Sequence, residues 1–328
     1  MKSRPAFSLV ELLVVLAIVA VAASLLLPAI QRVREASRIA ACQNNLKQIA
    51  AAALLHHDSQ GTFPYGGWGY RWIGVPDRGF GPRQPGGWVY NLLPMVEQSN
   101  LRRLGASELP EDYSQRVESP LCLLNCPSRR ACRPWPISPL YPYASRPRPH
   151  GSPRLAGRSD YAINAGATMV ITFAGPTDLA EGESADFMWP TMQSFLGDPF
   201  RYYSGISHVR RAASLRQLED GASNTYLFGD KFVNPAHYDD GEAPGDRLSL
   251  QNGYSTDNYR FARGNLSPIR DATRPPDAYA HARFGSAHAG ALNFAFCDGS
   301  VSGVSYDVAP QIHFHCGHIS DHGIAESE

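Results

Sequence analysis

An apolar run near the N-terminus limits the folds and locations that this chain can have. Residues 7–30 are interrupted only by Ser8, Glu11, Ser24 and Pro28. A helix of about 20 apolar residues can cross a bilayer, so the run is long enough for one transmembrane helix. Pro28 removes one helical hydrogen bond, and it predicts a kink rather than the end of the helix.

The chain continues beyond this run as an amphipathic helix over residues 31–60. Apolar side chains recur there at intervals of three and four residues, with charged residues between them, which is the pattern of a helix with one buried face. Gly61 is the latest plausible end of the helix. We expect one rod whose first half lies in lipid and whose second half is the spine of a folded body. The apolar positions of the spine are Ile39, Cys42, Leu46, Ile49 and Ala53.

A removable secretory signal is the alternative interpretation of the same run. Lys2 and Arg4 precede it, and the small residues 20–22 resemble a signal peptidase site. However, residues 24–27 keep the run apolar beyond that point, and the helical pattern continues further, which favours a retained anchor. Charge does not settle the orientation, because basic residues flank both ends of the run.

The rest of the chain, residues 61–328, is expected to form the body, and the composition of all 328 residues indicates its class. The 30 basic and 30 acidic residues balance, so no global charge favours nucleic acid as a partner. Proline (26) and glycine (29) exceed their usual share of about 12%, which favours a loop-rich body with β-structure. Residues 127–153 are dense in proline and arginine and predict a solvated loop. Residues 87–101 predict a short second helix.

The strand predictions are for residues 169–173, residues 225–228 and a hairpin within residues 284–306. The hairpin alternates apolar and polar positions and has Asp298 and Gly299 as a two-residue turn. Nine residues separate His288 from Asp298. An extended limb would hold their side chains too far apart for a catalytic pair.

The cysteines, a group of histidines and an acidic stretch are candidate metal ligands. The spacing of Cys122, Cys126 and Cys132 departs from that of a zinc knuckle. Cysteines of an exported body would more naturally form disulfides, for example Cys42 with a cysteine of the body. A histidine-rich C-terminal cluster could hold Zn²⁺, and an acidic stretch leaves a structural Ca²⁺ open, although its spacing fits no calcium loop. The cluster comprises His313, His315, Cys316, His318 and His322, and the acidic stretch comprises Asp178, Glu181, Glu183, Asp186 and Asp198.

Residues 6–15, A-F-S-L-V-E-L-L-V-V, resemble the signature of type IV prepilins and type II secretion pseudopilins. The resemblance implies that residues 1–6 are a leader, which a prepilin peptidase removes between Ala6 and Phe7 before Phe7 is N-methylated. In a bundle of such helices, Glu11 could pair with the new α-amino group of a neighbouring subunit's Phe7, which would neutralise a buried carboxylate and fix the register of assembly. The alternative is that Glu11 lies at headgroup depth and is solvated. One departure is Ala6, where the family usually has glycine.

Six further motifs, together with the H-x9-DG spacing of His288, Asp298 and Gly299, resemble a large group of pilin-like proteins of unassigned function, the DUF1559 type. The resemblance implies an architecture and no activity. The motifs are N-N-L-K-Q at 44–48, G-T-F-P at 61–64, L-L-P at 92–94, C-P-S at 126–128, D-G-A-S-N-T at 220–225 and N-F-A-F-C-D-G-S-V at 293–301.

We therefore expect an α+β protein in which a long kinked N-terminal helix packs on an antiparallel sheet with long loops. We expect a non-enzymatic, single-pass subunit of the inner membrane, with its body periplasmic or extracellular and no cofactor. The expected partners are the membrane, a prepilin peptidase and other pilin-like subunits, without nucleic acid. The alternatives are an anchored binding protein that does not polymerise and, more weakly, a metal-dependent exported enzyme.

Overall fold

The longest element of the computed structural model is helix α1 (Leu9–Gln60), whose 52 residues pass through Pro28 and extend about 78 Å at 1.5 Å per residue. The single helix predicted from the apolar run and the amphipathic pattern is confirmed. The structure describes residues 9–106, 109–137, 153–169, 173–190 and 204–320.

Helix α1 ends where the sequence predicted. Gly61 has a left-handed backbone (φ +78°), and its N–H donates to the carbonyl of His57 at 2.7 Å. Glycine adopts this conformation without a steric penalty, so it satisfies a terminal carbonyl and turns the chain away from the helix axis. The chain then returns along the second half of α1, where His57 and Phe63 are in ring contact.

The second half of α1 lies against the body on its predicted apolar face. Cys42, Leu46, Ile49 and Ala53 are buried in the main hydrophobic core, and Ile39 is half-buried at the edge of that face. The helix contacts the three strands β6 (Tyr226–Asp230), β10 (Leu292–Phe296) and β11 (Val301–Val304).

The principal sheet has five strands in the order β11-β10-β6-β3-β7, where β3 is Tyr161–Asn164 and β7 is Tyr259–Arg260. Three of the four pairings are antiparallel, and β3 pairs with β7 in parallel, so the sheet is mixed at one edge. Strand β6 is central and buried at all five positions. It confirms the strand predicted near residues 225–228.

The C-terminal hairpin is shorter than predicted, and its turn differs. Gly285–Ser286 pairs instead in parallel with Ile269–Arg270 in a separate two-stranded sheet. Only Gly299 has a positive φ (+83°), and Phe296 pairs with Ser300 through its N–H. The loop therefore has three residues, 297–299, with glycine at the left-handed position, which removes the need for a positive φ at Asp298.

The predicted helix over residues 87–101 is broken into three pieces. Pro94 supplies no N–H for a continuing helix, and Glu97 adopts a left-handed conformation (φ +62°). The remaining elements are short. They are β1 (Trp135–Pro136), β2 (Leu155–Ala156), β4 (Ser207–His208), β5 (Arg211–Ala212), β8 (Ile269–Arg270), β9 (Gly285–Ser286), α2 (Trp88–Leu92), α3 (Ser99–Arg103), α4 (Pro110–Glu118), α5 (Leu179–Glu183) and α6 (Pro310–Cys316).

Two residues near the start of the solvated loop predicted over 127–153, Arg129 and Arg130, are instead buried in a network of charges. Arg130 donates to Asp160 at 2.6 Å and to Asp246 at 2.5 Å, and Arg129 donates to Asp271 at 2.8 Å. These arginine side chains are almost fully buried, because paired carboxylates compensate their desolvation. Residues 138–152 of the predicted loop, residues 170–172 of a predicted strand, Asp198 and His322 lie outside the described residues.

The same network fixes the turn that carries Cys126. Asp160 accepts the backbone N–H of Cys126 at 2.8 Å while its other oxygen binds Arg130. Burial raises the pKa of the Asp160 carboxyl, but the two arginines and this N–H outweigh that effect and keep the pKa below its ordinary value. The charged core thereby places the Cys126 thiol against the spine helix.

Candidate functional site

The first half of α1 is the larger candidate site. From residue 9 to residue 34 every side chain is exposed, including large apolar ones such as Leu16 and Ile18. This is the one helix in the described ranges that is long and apolar enough to cross a membrane. Glu11 lies in its first turn. Ala6 and Phe7 lie outside the described residues, so the processing and register roles of these three residues stay predictions.

A second candidate lies where the spine enters the body, and it brings together residues that are remote in sequence. Cys42 on α1 lies 2.7 Å from Cys126, sulfur to sulfur. The Nε2 atom of His288 lies 3.6 Å from the Cys126 sulfur. All three residues are buried. In the described residues they form the one group of three whose metal-ligating atoms lie close together, within 4.8 Å of one another. We refer to them as the Cys–His cluster.

Glu35, one turn of helix before the buried face of α1, orients the histidine of the Cys–His cluster. His288 Nδ1 donates to Glu35 at 2.7 Å, and Glu35 also accepts from Arg38 at 3.0 Å and from the hydroxyl of Ser128. Burial raises the pKa of Glu35, but these hydrogen bonds outweigh it and lower the pKa overall. Because the Nδ1 side is occupied, the Nε2 side of the ring faces the sulfur atoms.

The titration of His288 follows from this geometry. Burial alone would lower its pKa, but hydrogen bonds to Cys126 and Glu35 outweigh that effect and raise the pKa to about 9. The hydrogen bond with Cys42 and burial both raise the pKa of the Cys126 thiol. The arrangement is therefore a protonated imidazole held between the Glu35 carboxylate and the protonated Cys126 thiol, with the Cys42 sulfur beside that thiol.

Hydrogen bonds of neighbouring side chains support the surroundings of the Cys–His cluster. Asp230 is buried, accepts the backbone N–H of Asn293 at 2.8 Å, and has a pKa that burial raises. Gln43 donates to the side chain of Asn293 at 3.1 Å. The hydroxyl of Tyr306 donates to the carbonyl of His288 at 2.7 Å. Tyr306, two residues beyond β11, thus holds the loop that carries the histidine, and Asp230 joins β6 to β10 beside it.

The other residues of the H-x9-DG motif have a different role. Asp298 caps its own turn by accepting the N–H of Ser300 at 2.8 Å, and Gly299 supplies the left-handed residue of that turn. Asp298 is exposed, whereas His288 is buried in the Cys–His cluster. The motif therefore serves two separate structures: His288 belongs to the Cys–His cluster, and Asp298 and Gly299 form the hairpin turn.

The other metal candidates of the sequence have structural partners. Cys122 and Cys132 form a disulfide. In the C-terminal cluster, His313 packs among aromatic rings of the core, and His318 contacts the Phe314 carbonyl through Nδ1 at 2.5 Å. In the acidic stretch, Asp178 caps α5 and Glu183 binds two arginines from residues 78–83.

The convergence of Cys42, Cys126 and His288 was not predicted from the sequence, although each residue lies in or beside one of the motifs already noted. Cys42 precedes N-N-L-K-Q, Cys126 begins C-P-S, and His288 begins H-x9-DG. A metal-ligating residue type in each of three separate motifs was the available signal. Spacing could not reveal it, because the contacts join residues 84 and 162 positions apart.

Comparison with known families identifies two matches. Residues 31–311 match the model of a family described as a protein of unknown function (DUF1559). The chain belongs to this family. Residues 1–27 match the prokaryotic N-terminal methylation motif, so this DUF1559 protein has a prepilin-like N-terminus and is membrane-anchored through α1. No curated protein and no solved structure matches the chain.

Proposed function

We propose that this DUF1559 protein is a non-enzymatic, pilin-like subunit that assembles laterally through the first half of α1. A prepilin peptidase cleaves between Ala6 and Phe7 and N-methylates Phe7. The subunits then form a type II secretion-like pseudopilus or a surface filament. The observation that carries the proposal is the prepilin-like motif over residues 1–27, together with a helix whose side chains are all exposed over residues 9–34.

The length of the exposed half of α1 suits a subunit that first spans the membrane and then joins a filament. Twenty-six exposed residues extend about 39 Å at 1.5 Å per residue. This is enough to cross the roughly 30 Å hydrocarbon core before assembly. Within a filament the same surface would pack against other copies of α1. A carboxylate in that surface is costly in lipid, which favours a pairing role for Glu11 with the amine of a neighbouring Phe7.

The body is placed outside the cytoplasm in this proposal, with the anchor in the inner membrane. The disulfide between Cys122 and Cys132 supports that placement, because disulfides persist in exported proteins and are rare in the cytoplasm. We infer no catalytic role: the polar groups of the Cys–His cluster are buried, and Asp298 lies apart from His288.

Crosslinking within the membrane tests assembly. Two cysteines introduced together at Leu16 and Ile18, in a chain carrying Cys316→Ser, should give a ladder of oligomers on oxidation in the native membrane, because each chain can then crosslink to two neighbours. A pair of cysteines introduced at exposed Leu109 and Met188 on the body is the matched control and should give no ladder. Monomers alone from both variants would contradict the proposal.

Glu11→Gln separates a register role from simple solvation at headgroup depth. If Glu11 pairs with the Phe7 amine of a neighbour, the variant should lose most of the ladder while inserting normally into the membrane. A ladder of unchanged intensity would show that Glu11 is merely solvated.

A cavity of about 330 Å³ favours the second candidate function, an anchored binding protein. Ile49, Trp88 and Leu92 line it with apolar surface, and its size lies in the range of small-molecule sites. A fluorescent apolar probe should bind the full-length chain in detergent, and Val96→Trp, which fills the cavity, should abolish that binding. Probe binding that is unchanged by the substitution would reject this candidate.

A further inference from the structure

The Cys–His cluster has the composition and placement of a metal centre. Two thiols and one imidazole converge from α1, from the turn at residue 126 and from the loop after β9. Thiolate and imidazole are the ligands that Zn²⁺ prefers in proteins. All three side chains are buried, so the surroundings exclude competing water.

The orientation of His288 is the most specific observation. Metal-ligating histidines commonly donate their second ring N–H to a carboxylate, which fixes the tautomer and the direction of the ligating nitrogen. His288 does this with Glu35 at 2.7 Å and turns Nε2 toward the sulfur of Cys126. A disulfide between Cys42 and Cys126 would not require the hydrogen-bonded pair of His288 and Glu35.

The distances agree with a bound ion for one pair and require a small movement for the other. Tetrahedral bonds of about 2.3 Å to sulfur and 2.0–2.1 Å to nitrogen hold S and N about 3.6 Å apart. The separation between Cys126 and His288 is 3.6 Å. Two sulfur ligands would lie about 3.8 Å apart. The sulfurs of Cys42 and Cys126, now 2.7 Å apart, must therefore separate by roughly 1 Å.

We propose that Cys42, Cys126 and His288 bind one Zn²⁺ ion, with Glu35 as the outer carboxylate that orients His288. Two Zn–S bonds and one Zn–N bond form. The protons of both thiols and of the ring nitrogen Nε2 pass to solvent. The fourth position is left for water or an exogenous donor. Glu35, whose side chain is about one-third exposed, marks the route by which the ion enters.

The ion would connect three parts of the protein at the point where the helix leaves the body. Cys42 belongs to the spine, Cys126 to the turn fixed by the buried charges, and His288 to the loop held by the sheet. The proposed site therefore explains why the histidine of the H-x9-DG motif lies against two cysteines, and it is independent of whether the subunits polymerise.

Metal analysis of the full-length chain tests this proposal. Protein extracted in detergent without chelator or reductant should contain about one zinc per chain. After zinc removal, Co²⁺ should bind with the intense near-ultraviolet absorption of cobalt–thiolate bonds. Cys42→Ser, Cys126→Ser and His288→Asn should each abolish this absorption, and Cys316→Ser should leave it unchanged.

A fourth variant separates lost ligands from lost folding. Glu35→Gln keeps all three ligands, so it should bind Co²⁺ with the same spectrum but with an affinity about 10–100-fold lower. Near-ultraviolet circular dichroism of each variant verifies that the body is folded.

Three results would overturn the proposal. One is a Cys42–Cys126 disulfide in peptide maps of the protein extracted without reductant. Another is a reduced, folded protein that takes up no Co²⁺ or Zn²⁺. The third is metal uptake that survives all three ligand substitutions, which would assign the ion to the C-terminal histidines instead.

Discussion

Asp246→Asn is the substitution that most directly tests the charged core behind Cys126. Asp246 accepts hydrogen bonds from Arg130 at 2.5 Å and from Lys231 at 2.8 Å, and all three side chains are almost fully buried. Removing one partner of a buried ion pair costs about 3–5 kcal/mol, because the other charge is left uncompensated. We expect a fall of this size in the free energy of unfolding, or roughly 6–15 °C in Tm.

The response to pH gives this prediction a second, independent part. Burial is the largest influence on Lys231 and lowers its pKa to about 8, against the pull of Asp246. Without Asp246 the pKa of Lys231 falls further, so this side chain loses its proton below pH 8 in the variant. Losing the proton removes part of the cost of a buried, unpaired charge. The variant should therefore be destabilised more at pH 6 than at pH 8.

The assay is thermal and urea unfolding of the full-length chain in detergent, followed by the near-ultraviolet dichroism of its buried tryptophans. Glu183→Gln is the matched control, because it removes an exposed carboxylate paired with Arg78 and should change the free energy of unfolding little. A loss of unfolding free energy in Asp246→Asn that is no larger than that of the control, or that is equal at pH 6 and pH 8, would show that Asp246 does not compensate the buried charges.

Three further predictions concern packing and acid stability. Leu46→Ala, on the buried face of α1, should cost about 2–5 kcal/mol in urea unfolding, whereas Leu55→Ala on the exposed face should cost under about 0.5 kcal/mol. Burial lowers the pKa of His208 to about 3, against about 6.5 in the unfolded chain. The contribution of the neutral, buried ring to stability is therefore complete above pH 6.5 and is lost as the pH falls toward 3. His208→Gln should flatten this acid loss of stability by up to about 1.4 kcal/mol per pH unit. Gly74→Ala, whose new Cβ would lie 2.3 Å from a tyrosine ring, should cost about 1–3 kcal/mol, whereas Gly81→Ala, with open space around it, should be nearly neutral in the same assay.

Local patterns were enough to predict the long elements. A run of apolar residues and a repeat of three and four define α1, and Gly61 marks its end because only glycine takes the left-handed conformation freely. The buried strand around residue 226 was also predicted. In each of these cases the information lies within a few residues along the chain.

The elements that were wrong or missed depend on contacts between remote residues. Gly285–Ser286 pairs with Ile269–Arg270 rather than extending the hairpin. Arg129 and Arg130 are buried because Asp160, Asp246 and Asp271 meet them there, whereas their proline-rich context predicted a solvated loop. The Cys–His cluster joins three segments of the chain in the same way. No periodicity encodes such meetings.

Mass spectrometry of the N-terminus of the protein isolated from membranes shows whether the chain is processed as a prepilin. We expect a chain that begins at Phe7 with one methyl group on its amine, since cleavage after Ala6 precedes assembly. Ala6→Gly, which restores the residue usual at this position in prepilins, is the matched comparison and should be processed at least as completely. A chain that retains Met1, or one cut within residues 20–24 as by a secretory signal peptidase, would rule out prepilin processing.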